Sequence, residues 1–198
     1  MFWLVALLLL GIERFLYGYI YHFPESFKTV CKGSLRTLLD HDEGKFWLVA
    51  KHLGVAIKVF QFSVIGYDLL IRCSLAVPPF GRLVAGAALI GIGQLLNGCV
   101  YQAIGAVGVY YGSQLGYDVP WCNGFPYNLG ISDPQYCGVI LCIWGLYLSA
   151  TADGNIISGY YLVPWLETFW YLTSMKVLEH QKRGSAVLQR LGASVHGK

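Results

Sequence analysis

The chain reads as an all-α protein, a polytopic helical bundle embedded in a membrane, and three observations lead there. Of its 198 residues 56% are hydrophobic and only 13% are charged, where soluble domains carry about a quarter charged residues. The charges are also clustered, so that from Cys73 to Met175 Arg82 is the sole Lys or Arg. Long apolar runs alternate with short polar connections. A water-soluble fold could not leave that much surface uncharged. The reading is four to five membrane helices in a single domain over residues 1–198, with the last two either a hairpin or two full spans. The net charge of +3 lies mostly in the tail, and no basic stripe interleaves with aromatics, so nucleic acid is excluded as a partner. The six cysteines, at 31, 73, 99, 122, 137 and 142, form no C-x-x-C pair. They read as buried thiols rather than as a disulfide framework or a metal site.

Residues 2–21 form the first predicted helix, apolar and aromatic but interrupted by Glu13-Arg14. It has no basic start and no small-residue cleavage site, so it is kept as a membrane helix rather than as a removed leader. A polar connection over 22–45 follows. Within it, Ser34 to Leu39 suggests a short interfacial helix and Asp40 to Gly44 a turn. Residues 46–76 form the second helix. Its polar residues Lys51, Lys58, Gln61, Asp68 and Arg72 fall within an arc of roughly 100° at helical spacing. Either the first half of this helix lies at the interface and snorkels its lysines, or the stripe pairs with Glu13 or Glu167, contacts a neighbouring protein, or lines a headgroup path.

Val77-Pro78-Pro79 ends the second helix, since a proline pair does not continue it. The third covers 83–112 and is dense in Gly and Ala, which lets membrane helices approach closely. Ser113 to Gln135 is a Gly/Pro/Asn/Asp-rich ordered loop, of the kind that carries function. Residues 136–150 are a fourth apolar segment, short against the roughly 20 residues that cross a bilayer. The fifth covers 156–178, with a kink expected at Pro164 and Glu167 inside the span, where pairing with Lys51 or Lys58 is the favoured role. With five crossings, the ordered loop and the basic tail over 180–198 share the positive side of the membrane. The tail is suited to anionic lipid.

The segment from Gly93 to Tyr136 resembles the phospholipid N-methyltransferase family, and most closely its plant-type enzymes that methylate phosphatidylethanolamine derivatives. The matching text is Gly93-Gln94-Leu95-Leu96-Asn97, Val100-Tyr101-Gln102, Tyr110-Tyr111-Gly112, Pro120-Trp121, Phe125-Pro126-Tyr127 and Asp133-Pro134-Gln135-Tyr136. The resemblance implies methyl transfer from S-adenosylmethionine to the amine of phosphatidylethanolamine or its N-methylated forms, in the endoplasmic reticulum or the mitochondrial inner membrane. It places donor contacts at Gly91 and Gly93 (a Gly-x-Gly), at Pro126, Tyr127 and Asn128 of the loop, and at Glu179 and His180 after the last helix. There the sequence departs from the family's acidic pair, with Glu179-His180 followed by Gln181-Lys182-Arg183. Tyr101, Gln102, Tyr110, Tyr111, Asp133 and Tyr136 are placed at the headgroup, where aromatic faces suit a methylated ammonium. No residue is singled out as a catalytic acid or base, because direct displacement needs mainly positioning. The alternative is a family relative that kept the scaffold, lost catalysis and serves as a subunit of a larger membrane complex, for example a respiratory one. Lys51, Lys58, Gln61, Asp68 and Arg72 would then be its protein contacts.

Overall fold

A computed structural model of the chain describes residues 2–38, 44–73, 75–120, 122–131, 133–151 and 161–178. Six α-helices make up the described fold: α1 (Phe2–His22), α2 (Pro24–Lys32), α3 (Phe46–Tyr67), α4 (Phe80–Val109), α5 (Pro134–Ala150) and α6 (Leu162–Thr173). α3 runs on through a π-helical turn at Asp68–Arg72, and α6 through another at Ser174–Leu178. α1, α3 with its π turn, and α4 are each long and apolar enough to cross a membrane. α5, at 17 residues, is shorter. This is a helical membrane protein, as the composition implied.

Several boundaries differ from those expected. Pro164 does not kink a long helix over 156–178: α6 starts at Leu162, so the proline sits in the first turn, where its missing N–H is not needed. Of the helix expected at 34–39 the described residues show a 3-10 turn at Arg36–Leu38. The connection also holds α2, with Pro24 opening it and Glu25 in its first turn, where the positive end of the helix dipole favours an acid. α4 starts at Phe80, just after Pro79, and is broken at Gly105, whose φ of 66° and ψ of 174° leave the helical region. Only glycine adopts that combination without strain. The expected turn at Asp40 to Gly44 and that after Thr151 lie almost wholly outside the described residues.

α4 packs almost entirely on α5. The glycines make this possible. A Cβ on Gly138 would lie 2.7 Å from the Gly93 carbonyl oxygen, and one on Gly145 would lie 2.6 Å from the Gly86 carbonyl oxygen. The two backbones therefore touch directly, which is how small residues drive membrane helix association without a hydrophobic effect. α5 packs in turn on α6, and α1 lies against both α3 and α6. Gly11 admits the Trp170 ring, whose Nε1 donates to the Leu7 carbonyl at 2.9 Å.

Two apolar clusters fill the bundle. One joins Ala6 and Leu10 of α1 to Val64, Ile65 and Leu69 at the end of α3, to Tyr136, Ile143 and Tyr147 of α5, and to Val163 and Tyr171 of α6. The other joins Tyr17 and Ile20 to Phe27 and Cys31 of α2, to Val49 and Ala50, and to Tyr111 and Leu115. Burial pushes the Cys31 thiol, in α2, up to about 11. Between the clusters lies a band of charge. Oε2 of Glu13 is 2.6 Å from both Arg14 Nη2 and Lys58 Nζ. Gln61 Nε2 donates to the Leu10 carbonyl at 2.9 Å.

Four of the five stripe residues on α3 and its π turn find partners inside the chain. Lys58 pairs with Glu13, Gln61 caps a carbonyl of α1, and Asp68 accepts from Arg72 at 2.9 Å and from Tyr147 at 2.8 Å. Asp68 and Gln61 are buried. Charges that desolvated are satisfied inside the chain, where the attraction is least screened. Lys51 is half-buried and stands apart from this band. The pairing expected of Glu167 with Lys51 or Lys58 is corrected: Glu167 is buried, but Lys58 is bonded to Glu13 and Tyr171 instead, and Glu167 Oε2 has no hydrogen-bond partner among the described residues.

Among the described residues Glu13 is thus the anion that bridges two cations. Glu13→Gln should destabilise the folded protein by about 3–5 kcal/mol, since it strands the buried Arg14 and the partly buried Lys58 without their anion. Thermal unfolding in detergent or nanodiscs measures this, with Glu25→Gln on the exposed face of α2 as a control that stays within about 0.5 kcal/mol.

Candidate functional site

Gly91 and Gly93 do not share a face. Two residues apart on a continuous helix are about 200° apart. Gly93 is buried in the α5 seam, where a Cβ would meet Cys142 Sγ at 2.6 Å. Gly91 points the other way, with nothing within 4 Å of a Cβ built on it. The neighbouring Asn97 also faces α5, its Oδ1 lying 2.8 Å from a Cβ on Gly138.

The loop after α4 folds in two parts. Its first part turns back towards α2 and α3: Leu115 is buried in the second apolar cluster, and the Phe46 N–H donates to Tyr117 Oη at 2.9 Å. Its second part lies over α4 and α5. Pro126 is buried there, Tyr127–Leu129 is a 3-10 turn closed by Gly130 at a φ of 72°, and Asn128 is exposed. The Asn128 N–H donates to the Gly124 carbonyl at 3.1 Å. Asp133 sits at the position that starts α5. Under this part is a groove of about 450 Å³, lined by Ile92, Leu95 and Leu96 of α4, Phe125, Leu129 and Ile131 of the loop, and Cys137, Ile140 and Leu141 of α5. No polar side chain besides the Cys137 thiol lines it, so it suits a hydrocarbon chain and not a charged nucleoside.

The four tyrosines expected at the headgroup form two hydroxyl pairs. Tyr101 Oη donates to Tyr110 Oη at 3.1 Å, and the Tyr111 and Tyr136 hydroxyls are 2.9 Å apart. The break at Gly105 and the positive φ of Tyr111, 60°, swing this end of α4 back over the bundle so that Tyr111 reaches Tyr136. The Tyr101–Tyr110 pair is the outer part, with Tyr101 40% exposed, and the Tyr111–Tyr136 pair is the buried inner part. Gln102 is exposed beside Tyr101. Glu179 and His180 lie outside the described residues.

Three residues of the inner part carried no site role in the sequence reading. The Tyr17 ring of α1 lies tilted, 5.2 Å from the Tyr111 ring, and the Tyr171 ring of α6 lies edge-on, 5.2 Å from Tyr136. Arg14 sits among them, with its guanidinium carbon 4.3 Å from the Tyr171 ring centre, 4.7 Å from Tyr136 and 5.2 Å from Tyr17. Its Nε and Nη1 have no hydrogen-bond acceptor among the described residues, so the ring faces are what receives that side of the cation. The signal was present: a Glu-Arg pair inside an apolar run, with Tyr17 one turn after Arg14 and Tyr171 one turn after Glu167.

The model of the phospholipid methyltransferase family matches residues 81–181 of this chain, just over half of its length. The chain belongs to the phospholipid methyltransferase family. The matched region starts beside Arg82 in the first turn of α4 and takes in the loop, α5 and α6, so α1 to α3 lie outside it. A protein of Arabidopsis thaliana, phosphatidyl-N-methylethanolamine N-methyltransferase, is 46% identical over 55 residues, which are 28% of this chain. The alignment spans about a third of that relative's length, 33%. No solved structure matches.

The two glycines should behave oppositely. Gly93→Ala pushes a methyl into α5 and should cost about 1–3 kcal/mol, read as thermal stability. Gly91→Ala should leave stability within about 0.5 kcal/mol, so any loss of methyl-donor binding by that variant reports a direct contact. An equal effect of both substitutions on stability would contradict the packing described.

Proposed function

We propose that this membrane protein transfers a methyl group from S-adenosylmethionine to the amine of phosphatidylethanolamine or of its mono- or dimethyl form. The observation that carries the reading is the outer tyrosine pair, Tyr101 and Tyr110, whose hydroxyls are 3.1 Å apart with Tyr101 40% exposed, while Tyr111, the next residue, pairs with Tyr136 on the buried side. Aromatic faces and phenol oxygens hold an alkylammonium without neutralising it, and they tolerate added methyl groups. The apolar groove under the loop is assigned to an acyl chain of the same lipid. Family membership supports the methyl donor, whose sulfonium and carboxylate need polar contacts that the groove does not offer. The open face at Gly91, the exposed Asn128 and, beyond the described residues, Glu179 with His180 are where we assign it.

The chemistry asks little of the chain beyond position. A deprotonated amine nitrogen attacks the donor methyl in line. The N–C bond forms as the C–S bond breaks, sulfur keeps the electron pair and becomes a neutral thioether, and the nitrogen becomes cationic. Water exclusion by the loop and alignment by the tyrosines supply the barrier lowering.

A second reading is favoured by one observation. Arg14, from outside the family-matched half, fills the inner tyrosines. That suits a family member that has lost catalysis and acts as a subunit of a larger membrane complex.

Purified protein in nanodiscs, given methyl-labelled donor and each of the three lipids in turn, separates the two. The enzyme reading expects label in the lipid and an equal amount of demethylated donor. Absence of label with all three lipids overturns it. Leu95→Trp, which fills the groove, should raise the KM for lipid about tenfold with little change in kcat, the pattern of lost ground-state binding.

A further inference from the structure

The inner tyrosines form a site in their own right. Tyr17 comes from α1, Tyr136 from α5 and Tyr171 from α6, and their rings surround one guanidinium at 5.2, 4.7 and 4.3 Å. Arg14 is 2% exposed. Its charge is met by Glu13, yet Glu13 does not depend on it, because Lys58 holds the same carboxylate oxygen at 2.6 Å. Lys58 Nζ also donates to Tyr171 Oη at 2.9 Å, and its side chain is 32% exposed, so one edge of the cage reaches the outside of the bundle there. Glu167, buried with Oε2 unpartnered, is a second carboxylate in this half of the bundle. Three ring faces with nearby carboxylates are the arrangement that receives a quaternary ammonium ion.

We propose that Arg14 is a tethered ligand: it occupies a cage built for an alkylammonium group, closes that cage to lipid headgroups, and so confines headgroup recognition to the outer Tyr101–Tyr110 pair. The proposal rests on the reading of the tyrosine cluster as an alkylammonium site, but not on turnover. Two of the cage rings, Tyr136 and Tyr171, belong to the family-matched half, and the occupant belongs to α1, which lies outside it. The N-terminal half therefore supplies the cation that the family half would otherwise take from a substrate. Removing the guanidinium leaves the Glu13–Lys58 pair to hold and vacates a position 4.3 to 5.2 Å from three ring centres.

The test uses full-length protein in detergent, with tetramethylammonium chloride against sodium chloride at equal ionic strength. Arg14→Ala should gain a thermal shift of about 2–4 °C, since a ligand that binds only the folded state raises its midpoint. A tyrosine difference spectrum should accompany it. Wild type should show neither, and Arg14→Met, whose chain still fills the cage, should show neither. A shift in wild type or in Arg14→Met as large as in Arg14→Ala overturns the proposal, as does a folded Arg14→Ala with no shift. If Arg14→Ala does not fold, Arg14→Lys and Arg14→Met decide. A higher melting point for the lysine variant upholds a cation in an aromatic cage, and an equal or higher one for the methionine variant overturns it. Tetramethylammonium binding requires no methyl donor, so these outcomes are independent of whether labelled methyl reaches lipid.

Discussion

The bundle is organised around the carboxylate of Glu13. It sits at the level where the two apolar clusters meet and holds Arg14 on its own helix and Lys58 on α3. In a bilayer these three charges have no water to retreat to, so their mutual satisfaction fixes how α1 and α3 face each other. Arg14 then fixes α5 and α6 through the rings of Tyr136 and Tyr171. One ionic triad thus reaches four helices. Its energy comes from low dielectric and good geometry, and losing Glu13 leaves both cations without their anion.

Around that triad the polar groups of the span are satisfied in pairs that cross helices. Asp68, at the π turn ending α3, collects Arg72, Tyr147 and, more weakly, the Cys73 thiol at 3.6 Å. Arg72 also lies over the Trp3 ring at 3.5 Å, tying the start of α1 to the end of α3. Arg82, opening α4, donates to Tyr161 and to Thr151 at 3.2 Å. These contacts sit near the ends of the helices, where a side chain reaches both protein and the interface. The middle is left to the triad, and the α4–α5 seam is left to backbone contact.

Much of this was legible from residue types. The apolar runs pointed to the helices, and the density of Gly and Ala in α4 pointed to a close helix contact, since small residues let membrane helices approach one another. The resemblance between Gly93 and Tyr136 marked the stretch that holds both tyrosine pairs. What was not legible needed three dimensions. Lys58 had two carboxylates in reach of its helix, Glu13 and Glu167, and only the packing of α1 chose between them. α2 carried its own signals, Pro24 and Glu25, but they were outweighed by the polar composition of the connection. Arg14 passed unnoticed because a charged pair in an apolar run looks like an interruption until the three rings that receive it are seen together.

The seam between α4 and α5 has one more consequence. Because the backbones touch at Gly93 and Gly138 and again at Gly86 and Gly145, the two helices form a stiff panel with no side-chain layer to absorb sliding. Besides the packing of α5 on α6, contacts that tie the panel to the remaining helices include Tyr147 to Asp68, Trp144 to Thr168, and Tyr136 to Arg14. Two helices locked at that spacing shift as a single plate, so a displacement at one tie is carried along the full height of both.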